Sequence, residues 1–400
     1  MSLFIPYGAY WSTPFARWQG ALAHLHSVEL AAHVTRAALA ERGIGTEQFD
    51  AACYGWTVIQ PECFYAGPWF TGLIGAGHLP CPTINQACAT GPRLLAHIAG
   101  EFARGEGRLA LVASGDRTSN GAHVYYPAPG ATGGTGRAED WVLGSFGRDP
   151  WAGGAMLETA ENVAARVGIE TAEQHEVVLY RAAQYDRALA EDRAFQRRYM
   201  PAQFEVPDAR FRKTVAVLEG DAGVEPVNPD KIARLVPVRP GGTVTFASQT
   251  HPADGAAGMV LAASAAAAAE ITPGGPVIEV LALTQSREEK GFMPAAPIAA
   301  TRAALARAGL EIGQVDAIKS HNPFAVNDIA FARAFGIDWR QMNNFGSSLI
   351  WGHPQGPTGL RGIIELIEEL EMRGGGIGLF QGCAAGDSAM AVLIRVGDVH

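Results

Sequence analysis

The sequence predicts a layered α/β fold with two similar halves and a loop domain inserted between parts of the first half. Short apolar runs typical of buried strands alternate with helical stretches of roughly 15 residues. The same order of helix, strand, polar turn, helix and strand occurs twice along the chain. A Gly-, Pro- and aromatic-rich stretch interrupts the first occurrence. These three observations indicate a duplicated architecture with an insertion.

The first half is predicted to occupy residues 1–116 and to alternate strands with helices. Its elements are an apolar start at 3–10, a helix at 27–42, strands at 49–58 and 82–87, a helix at 89–104 and a strand at 107–114. Gly43 is the stop signal of the first helix. The last strand runs into the polar sequence Gly-Asp-Arg-Thr, where the alternation stops.

The inserted loop domain is predicted at 117–240, with helices near 157–168 and 171–190. From Gly241 the alternation returns, and residues 241–400 are predicted to hold the remaining core strand of the first half and the whole second half. The second half contains a strand at 277–283, a helix at 297–309, a strand at 315–320, a helix at 357–373 and strands at 376–380 and 390–396.

The composition is that of a compact globular protein, with 48% hydrophobic and 18% charged residues. A net charge of -9 without a basic run argues against a nucleic-acid partner. No stretch approaches the ~20 apolar residues that cross a membrane, and the N-terminus lacks the features of a signal peptide. Five cysteines suit neither a disulfide framework nor a zinc site, so we expect a cytoplasmic protein.

Cys88 is the first candidate catalytic residue. It lies in the stretch Thr83-Ile-Asn-Gln-Ala-Cys-Ala-Thr-Gly91, between a predicted strand and a predicted helix. Free N–H groups and the helix dipole favour a thiolate at that position, and small neighbours leave room for a substrate. A cysteine after an apolar run is more often a small core residue, so this segment alone leaves both interpretations open.

His353 and Cys383 lie in two other glycine-rich loops, His353 just before a predicted helix and Cys383 between Gly382 and Gly386. Each taken alone could be structural, as a loop histidine bonded to a carbonyl or as a buried residue at a strand end. Taken with Cys88, they supply the base that a thiol nucleophile needs and a second thiol that can act as an acid. The set indicates acyl-thioester chemistry.

These motifs resemble those of the thiolase family, and the resemblance covers nearly the whole chain. In chain order they are Asn85-Gln-Ala-Cys-Ala-Thr-Gly91, Thr159-Ala-Glu-Asn-Val163, Gly242-Thr-Val-Thr with Thr250 and Asp254-Gly-Ala-Ala257, Asn344-Phe-Gly-Ser-Ser, Gly352-His-Pro354 and Cys383. The resemblance implies a thiolase-like fold and an acyltransferase. It would cleave a 3-oxoacyl-CoA with CoA or run the reverse Claisen condensation.

The resemblance also implies roles for individual residues. Cys88 would be the acylated nucleophile, His353 its base, and Cys383 the acid/base at the α-carbon. His321 falls where most thiolases have an asparagine of one oxyanion hole, and a histidine there is similar to the sterol-carrier-type branch. The backbone N–H groups of Cys88 and Ala385 would line the second oxyanion hole.

Coenzyme A is the co-substrate that the resemblance implies, with no bound cofactor and no metal. Thr250 falls where the family places a serine near the pantetheine arm. Arg210, Arg212 and Lys213 are candidates for the CoA phosphates, although a solvated charge run is the alternative. The chain departs from the family at Asn322-Pro323 and at Ala385, which replace the usual Glu-Ala and Gly.

Aromatic residues are concentrated at 54–70 and 125–151. They indicate either core and dimer-interface packing or a pocket for a bulky acyl group. The second interpretation resembles the thiolases that cleave benzoylsuccinyl-CoA to benzoyl-CoA and succinyl-CoA in anaerobic toluene breakdown. Such enzymes imply a homodimer core and a small zinc-containing OB-fold partner. The alternatives are a ketoacyl synthase-like condensing enzyme and a catalytically silent scaffold that binds acyl-CoA.

Overall fold

The computed structural model describes residues 3–397. The strands are β1 Tyr10–Ser12, β2 Ala16–Arg17, β3 Ala51–Gly55, β4 Thr83–Ile84, β5 Leu109–Arg117, β6 His123–Tyr126, β7 Arg137–Asp140, β8 Phe204–Pro207, β9 Thr214–Leu218, β10 Ala253–Ala262, β11 Ile278–Arg287, β12 Ala317–His321, β13 Gly376–Ala384 and β14 Ser388–Val396. The helices are α1 Ser27–Glu41, α2 Gly67–Leu73, α3 Thr90–Ala103, α4 Leu143–Gly147, α5 Met156–Val167, α6 Thr171–Arg193, α7 Pro229–Ala233, α8 Ala265–Ile271, α9 Ala296–Ala308, α10 Ala325–Phe335, α11 Ser348–Trp351 and α12 Gly356–Met372.

Two sheets with one strand pattern form the framework. The first has the order β1-β10-β5-β3-β4, with β2 paired to β10, and the second has the order β11-β14-β13-β12. In the first sheet β10 is antiparallel to β1 and β5, while β3 is parallel to β5. In the second sheet β14 is antiparallel to β11 and β13, while β12 is parallel to β13. The four shared positions therefore have the same directions in both sheets.

The helices α3 and α12 lie between the two sheets. One core cluster joins side chains of both helices to both sheets, whereas α1 and α2 cover the outer face of the first sheet, and α9 and α10 that of the second. The two central helices touch where they begin, since a Cβ on Gly91 would lie 2.7 Å from the backbone nitrogen of Leu360. Glycine is needed there because any side chain would separate the helices.

The segment between β5 and β10 holds two two-stranded hairpins, β6–β7 and β8–β9, and the helices α4 to α7. The helices predicted near 157–168 and 171–190 correspond to α5 and α6. Sequence analysis missed both hairpins, because their strands are only four or five residues long. β6, β7 and β9 contain no buried residue, and β8 is mostly buried but too short to give a clear apolar run. The unit boundaries at 116 and 240 stay a prediction.

Two strands beside the first-half nucleophile segment are shorter than predicted. Only Thr83–Ile84 of the predicted strand 82–87 is a strand, since Ala87 adopts a left-handed conformation with φ 45° that turns the chain towards α3. The predicted strand 49–58 ends at Gly55. The N–H of Trp56 still bonds to Ile84 O, but those of Thr57 and Val58 bond to the Asp116 carboxylate instead of a strand. Within residues 3–397, no helix combines the length and apolar character needed to cross a membrane.

Candidate active site

Cys88 sits in a tight turn that joins β4 to α3. Thr90 holds this turn, because its hydroxyl accepts a hydrogen bond from Gln86 N at 2.9 Å and donates one to Ala87 O at 2.7 Å. The left-handed Ala87 precedes the cysteine directly. The turn leaves the thiol partly exposed to a cavity, although the flanking Ala89 and Thr90 are buried.

His353 comes from the other half of the fold and reaches Cys88 from the turn before α12. Its Nε2 lies 3.1 Å from Cys88 Sγ, and its Nδ1 lies 2.7 Å from the hydroxyl oxygen of Thr358. A proton on Nδ1, donated to Thr358, leaves the Nε2 lone pair free to accept the thiol proton. Thr358 is a site residue that sequence analysis missed; its signal was its place in the first turn of the helix that follows the histidine.

His321 stacks against His353, with ring centroids 4.1 Å apart and an interplanar angle of 29°. Its Nδ1 lies 2.8 Å from the hydroxyl oxygen of Ser348, while its buried Nε2 has no hydrogen-bond partner among residues 3–397. One nitrogen from each ring and Cys88 Sγ all lie within 4.8 Å of one another. A thiol and two imidazoles at this spacing could also ligate a metal ion, a grouping that the sequence spacing did not reveal.

Cys383 lies in β13, one residue before the strand ends, and faces the same cavity as Cys88. Its buried Sγ accepts a hydrogen bond from Asn327 Nδ2 at 3.2 Å. Asn327 belongs to the first turn of α10, and sequence analysis did not identify it. Burial raises the pKa of the Cys383 thiol, and the amide of Asn327 partly opposes this effect because a donor that faces the sulfur favours its thiolate.

Burial dominates the protonation of these groups. It raises the pKa of the Cys88 thiol to about 12, an effect that the backbone N–H groups of Ala385 and Cys88 oppose without overcoming. It also lowers the pKa of His353 well below its usual range and that of His321 to about 3. The resting pair is therefore a neutral thiol and a neutral imidazole. The thiolate expected from the helix position is wrong for this state, because desolvation outweighs the dipole.

A buried carboxylate, Asp116, lies at the end of β5 beside the two catalytic turns. It accepts hydrogen bonds from Thr57 N, Val58 N and Gly356 N at 2.7, 3.0 and 2.9 Å, and from the Thr57 hydroxyl at 3.0 Å. Burial raises its pKa to about 7, while these donors lower it. Sequence analysis treated the surrounding polar turn only as the end of a strand and missed this residue.

The cavity at Cys88 has a volume of about 480 Å³. Apolar side chains form most of its wall: Trp141, Phe146, Pro150, Met156, Leu157, Pro252, Met293, Pro323 and Phe324. Its polar side chains are Thr57, Asn85, Ser145, Asp149, Gln249, Thr250, His353 and Gln355, and no lysine or arginine of the described residues lines it. The carboxylate of Asp149 is already bonded to Trp151 N, Ala152 N and Gly386 N. The free space is therefore mainly apolar.

Two family models match this chain, "Thiolase, N-terminal domain" over residues 9–265 and "Thiolase, C-terminal domain" over residues 276–396. The chain belongs to the thiolase family. An acetyl-CoA acetyltransferase of Pseudomonas aeruginosa is 30% identical over 96% of both chains, and the beta-ketothiolase BktB of Cupriavidus necator is 28% identical over 96% of both. The protein is thus an enzyme of the acyltransferase class.

Solved structures show the same thiolase fold. The human mitochondrial 3-ketoacyl-CoA thiolase superposes with a TM-score of 0.89 at 24% identity and covers 99% of both chains. Its complex with CoA gives a TM-score of 0.88. The predicted thiolase-like fold is confirmed. At this identity the likeness establishes the fold and not the substrate.

The remaining residues predicted for this thiolase lie in two places. Thr250 lines the cavity, where its hydroxyl donates to the carbonyl oxygen of Ser348 and its N–H donates to Pro323 O at 2.7 Å. Arg210, Arg212 and Lys213 lie in the exposed turn between β8 and β9, where their backbone N–H groups bond to Asp208 Oδ1. None of the three lines the cavity, and their contact with CoA phosphates stays a prediction.

Asn322 is a buried anchor of the thiolase site rather than a cavity residue. Its Nδ2 donates to Asp328 Oδ2 at 2.6 Å, and its Oδ1 accepts from Leu349 N at 3.2 Å. These bonds tie the loop after His321 to α10 and α11. The amide of Asn322 therefore helps to hold His321 and Ser348 in their hydrogen-bonded positions without facing the cavity itself.

Proposed function

We propose that the enzyme transfers an acyl group between a 3-oxoacyl-CoA and CoA through an acyl-Cys88 intermediate. The observation that carries this proposal is the 3.1 Å contact between His353 Nε2 and Cys88 Sγ, in a cavity that Cys383 also lines. A nucleophile, a base held in one tautomer and a second thiol are the groups that such a transfer requires.

The first half-reaction forms the acyl-enzyme. His353 Nε2 takes the Cys88 proton as Sγ attacks the 3-keto carbon, and the bond between C2 and C3 then breaks with its electron pair on the thioester enolate. Cys383 protonates C2 of that enolate, which leaves as the CoA thioester of the C1–C2 fragment: acetyl-CoA from a simple 3-oxoacyl-CoA, or succinyl-CoA from benzoylsuccinyl-CoA. The acyl group remains on Cys88 as a thioester.

The second half-reaction releases the acyl group. The Cys383 thiolate takes the proton of the CoA thiol as its sulfur attacks the acyl carbon on Cys88. The tetrahedral intermediate collapses, the Cys88 thiolate leaves, and the imidazolium of His353 returns its proton. Both thiols and the imidazole are then neutral again, which is the resting state that burial favours.

Two donor sets support the charge that develops during these steps. The N–H groups of Ala385 and Cys88 act on the cysteine sulfur, and we assign them to the oxyanion formed at the attacked carbon. Ser348 can donate a hydrogen bond from its hydroxyl to His321 Nδ1, so that the single N–H of the neutral imidazole is at Nε2 and can donate a hydrogen bond to the thioester oxygen. Each such donor is worth about 3–4 kcal/mol in the transition state.

A bulky apolar acyl group fits this cavity best. Trp141, Phe146 and Phe324 contribute aromatic wall, and no lysine or arginine of residues 3–397 faces the free space. Within this class we propose the benzoyl group of benzoylsuccinyl-CoA, in line with the His321-type branch. The carboxylate of its succinyl part would then meet uncharged donors, such as the amides of Asn85, Gln249 and Gln355 in the lining.

A second copy of the chain is the proposed partner at the β4 edge. β4 pairs only with β3 in the described sheet, and the nearby Phe64 and Tyr65 are 99% and 59% exposed. Exposed aromatics beside an open strand edge are typical of an interface. A small zinc-containing OB-fold subunit is a further proposal that rests on the family branch alone. A cytoplasmic location is a proposal that rests on the five cysteines, which suit neither a disulfide framework nor a zinc site.

Intact-protein mass spectrometry with acetyl-, succinyl- and benzoyl-CoA tests the function. The expected result is one acyl adduct that maps to Cys88, with benzoyl-CoA giving the highest occupancy. Cys63→Ser is the control, because Cys63 is partly exposed and does not line the cavity. An adduct on another cysteine, or none from any donor, would refute acyl transfer through Cys88 and favour the silent scaffold.

A further inference from the structure

The Asp116 carboxylate connects the two halves of the fold at the active site, although it contacts none of the reacting atoms. Its side chain is fully buried, and its four hydrogen bonds come from the loop after β3 and from the first residue of α12. Each oxygen accepts two of these bonds: Oδ1 from Thr57 N and Val58 N, Oδ2 from the Thr57 hydroxyl and Gly356 N. A carboxylate with four donors has its full set of partners as an anion.

The bond to Gly356 fixes the turn that carries His353. Gly356 is the first residue of α12, three residues after His353 and two before Thr358, which holds the imidazole Nδ1. A Cβ on Gly356 would lie 2.9 Å from Asp116 Oδ2 and 2.5 Å from Ser114 Oγ. The start of α12 therefore rests directly on the end of β5, in the half that supplies Cys88.

The bonds to Thr57 extend the same connection to the cavity wall. Thr57 lines the cavity, and its carbonyl oxygen accepts a hydrogen bond from Trp141 Nε1 at 2.9 Å. One carboxylate thus holds both the turn of the base and the residue that anchors an aromatic wall.

We infer that Asp116 is a positioning residue for acyl transfer, which in its ionised form holds the His353 turn at its working distance from Cys88. The inference rests on the proposed function and adds a residue that acts through His353. Protonation of Asp116 would place a hydrogen on one oxygen and weaken its bonds to N–H groups, since those groups cannot accept.

The pH range of this effect follows from the groups around the cavity. Burial lowers the pKa of His353 well below its usual range and brings those of His321 and His251 to about 3 and 4, so none of the three titrates near neutrality. Burial raises the pKa of Asp116 to about 7. Activity should therefore fall as the pH drops through about 7.

Charged and titratable groups on the neighbouring elements surround Asp116. Tyr54 on β3 interacts electrostatically with Asp116, and burial together with this charge raises the pKa of Tyr54 well above 10. Cys88, in the turn before α3, also interacts with the charge of Asp116, and burial raises its pKa to about 12. On β5 itself Arg117 donates to Leu25 O, and on β10 Asp254 accepts from Ser119 N. Burial raises the pKa of Asp254 above its usual value, so the Asp254→Asn variant also controls for titration of that group.

Asp116→Asn isolates the contact to α12. The asparagine side chain has two possible orientations. In the first, its NH₂ group replaces Oδ1 and faces the N–H groups of Thr57 and Val58. In the second, its NH₂ group replaces Oδ2 and faces the N–H of Gly356 and the Thr57 hydroxyl, which can rotate to accept. The second orientation has fewer donor–donor clashes and breaks the bond to Gly356. Asp254→Asn is the matched control: a buried aspartate on the adjacent strand whose Oδ2 has no partner among the described residues.

The assay is the rate of Cys88 acylation by benzoyl-CoA or the best donor of the panel, measured by quenched-flow mass spectrometry from pH 5 to 9. Asp116→Asn should lower the maximal rate ~10²-fold, the usual cost of a small misplacement, with little change in the donor concentration at half-maximal rate. It should also lose the acidic inflection. Thr57→Val, which removes one donor and so raises the pKa of Asp116, should move the inflection to higher pH.

A wild-type rate and pH profile in Asp116→Asn would overturn the inference, as would an equal loss in Asp254→Asn. If Asp116→Asn does not fold, an unmoved inflection in Thr57→Val overturns it alone. These failures differ from failure of the proposed function, in which the wild-type protein itself would form no adduct at Cys88.

Discussion

Thr358→Val removes the partner of His353 Nδ1 and leaves nearly all other packing in place. Valine has almost the shape of threonine, and Thr358 is buried with its hydroxyl oxygen 2.7 Å from Nδ1. In the resting enzyme the neutral imidazole can move its proton to Nε2. In that tautomer Nε2, the nitrogen that faces Cys88, has no lone pair to accept the thiol proton.

The expected loss follows from the charge state during attack. When His353 takes the thiol proton, the ring becomes a cation with a hydrogen on both nitrogens. In the wild type its Nδ1–H donates to the Thr358 hydroxyl, and in the variant it has lost this acceptor. Hydrogen bonds to charged groups contribute about 1.5–3 kcal/mol. Because 1.36 kcal/mol corresponds to a tenfold change in rate, acylation should slow by about 10- to 150-fold.

The rate of Cys88 acylation under single-turnover conditions measures this effect. Thr301→Val is the matched control, because Thr301 is a fully buried helical threonine whose hydroxyl has no partner among residues 3–397. We expect its acylation rate to match the wild-type rate. Acylation of Thr358→Val at the wild-type rate, in a folded protein, would refute the tautomer assignment and the role of His353 as base.

Cys88→Ser should lower acylation by more than ~10³-fold, because a serine hydroxyl is a far weaker nucleophile; an acyl adduct at wild-type rate on the variant would reject the nucleophile. Cys383→Ala should still form the acyl adduct from an acyl-CoA, since CoA can leave as a thiolate without the Cys383 proton, but should lose cleavage of 3-oxoacyl-CoA, since no group then protonates C2; normal turnover would remove Cys383 from the mechanism. His321→Ala should lower turnover by ~10²-fold through loss of an oxyanion donor, and an unchanged rate would assign His321 a structural role.

Much of the fold was predictable because its central elements carry strong local signals. The apolar run that became β5 and the long apolar face of α12 both predicted their elements within a few residues. The early ends of β3 and β4 were not predictable. They depend on the left-handed turn at Ala87 and on the carboxylate of Asp116, and neither leaves an apolar pattern.

The site was predictable only where chemistry-bearing residue types lie in recognisable motifs. Cys88, His353 and Cys383 were identified in that way, although 265 residues separate the first two. The groups that orient them, Asn327 and Asp116, could not be identified. An asparagine in a helix or an aspartate at a strand end is ordinary in sequence, and only folding brings Asp116 to Gly356, 240 residues away.

The duplicated topology explains how two neutral groups become a reactive pair. Each half contributes one of the two central helices, and the turn before each helix carries one member of the catalytic pair. Cys88 lies before α3, and His353 lies before α12. Burial keeps the thiol protonated at rest, so the proton moves only as the acyl carbon arrives and the N–H groups of Cys88 and Ala385 receive its oxyanion. A reactive thiolate therefore exists only during the attack. This requires that the two turns keep His353 at its distance from Cys88, which is the role that we infer for the hydrogen bond from Gly356 to Asp116.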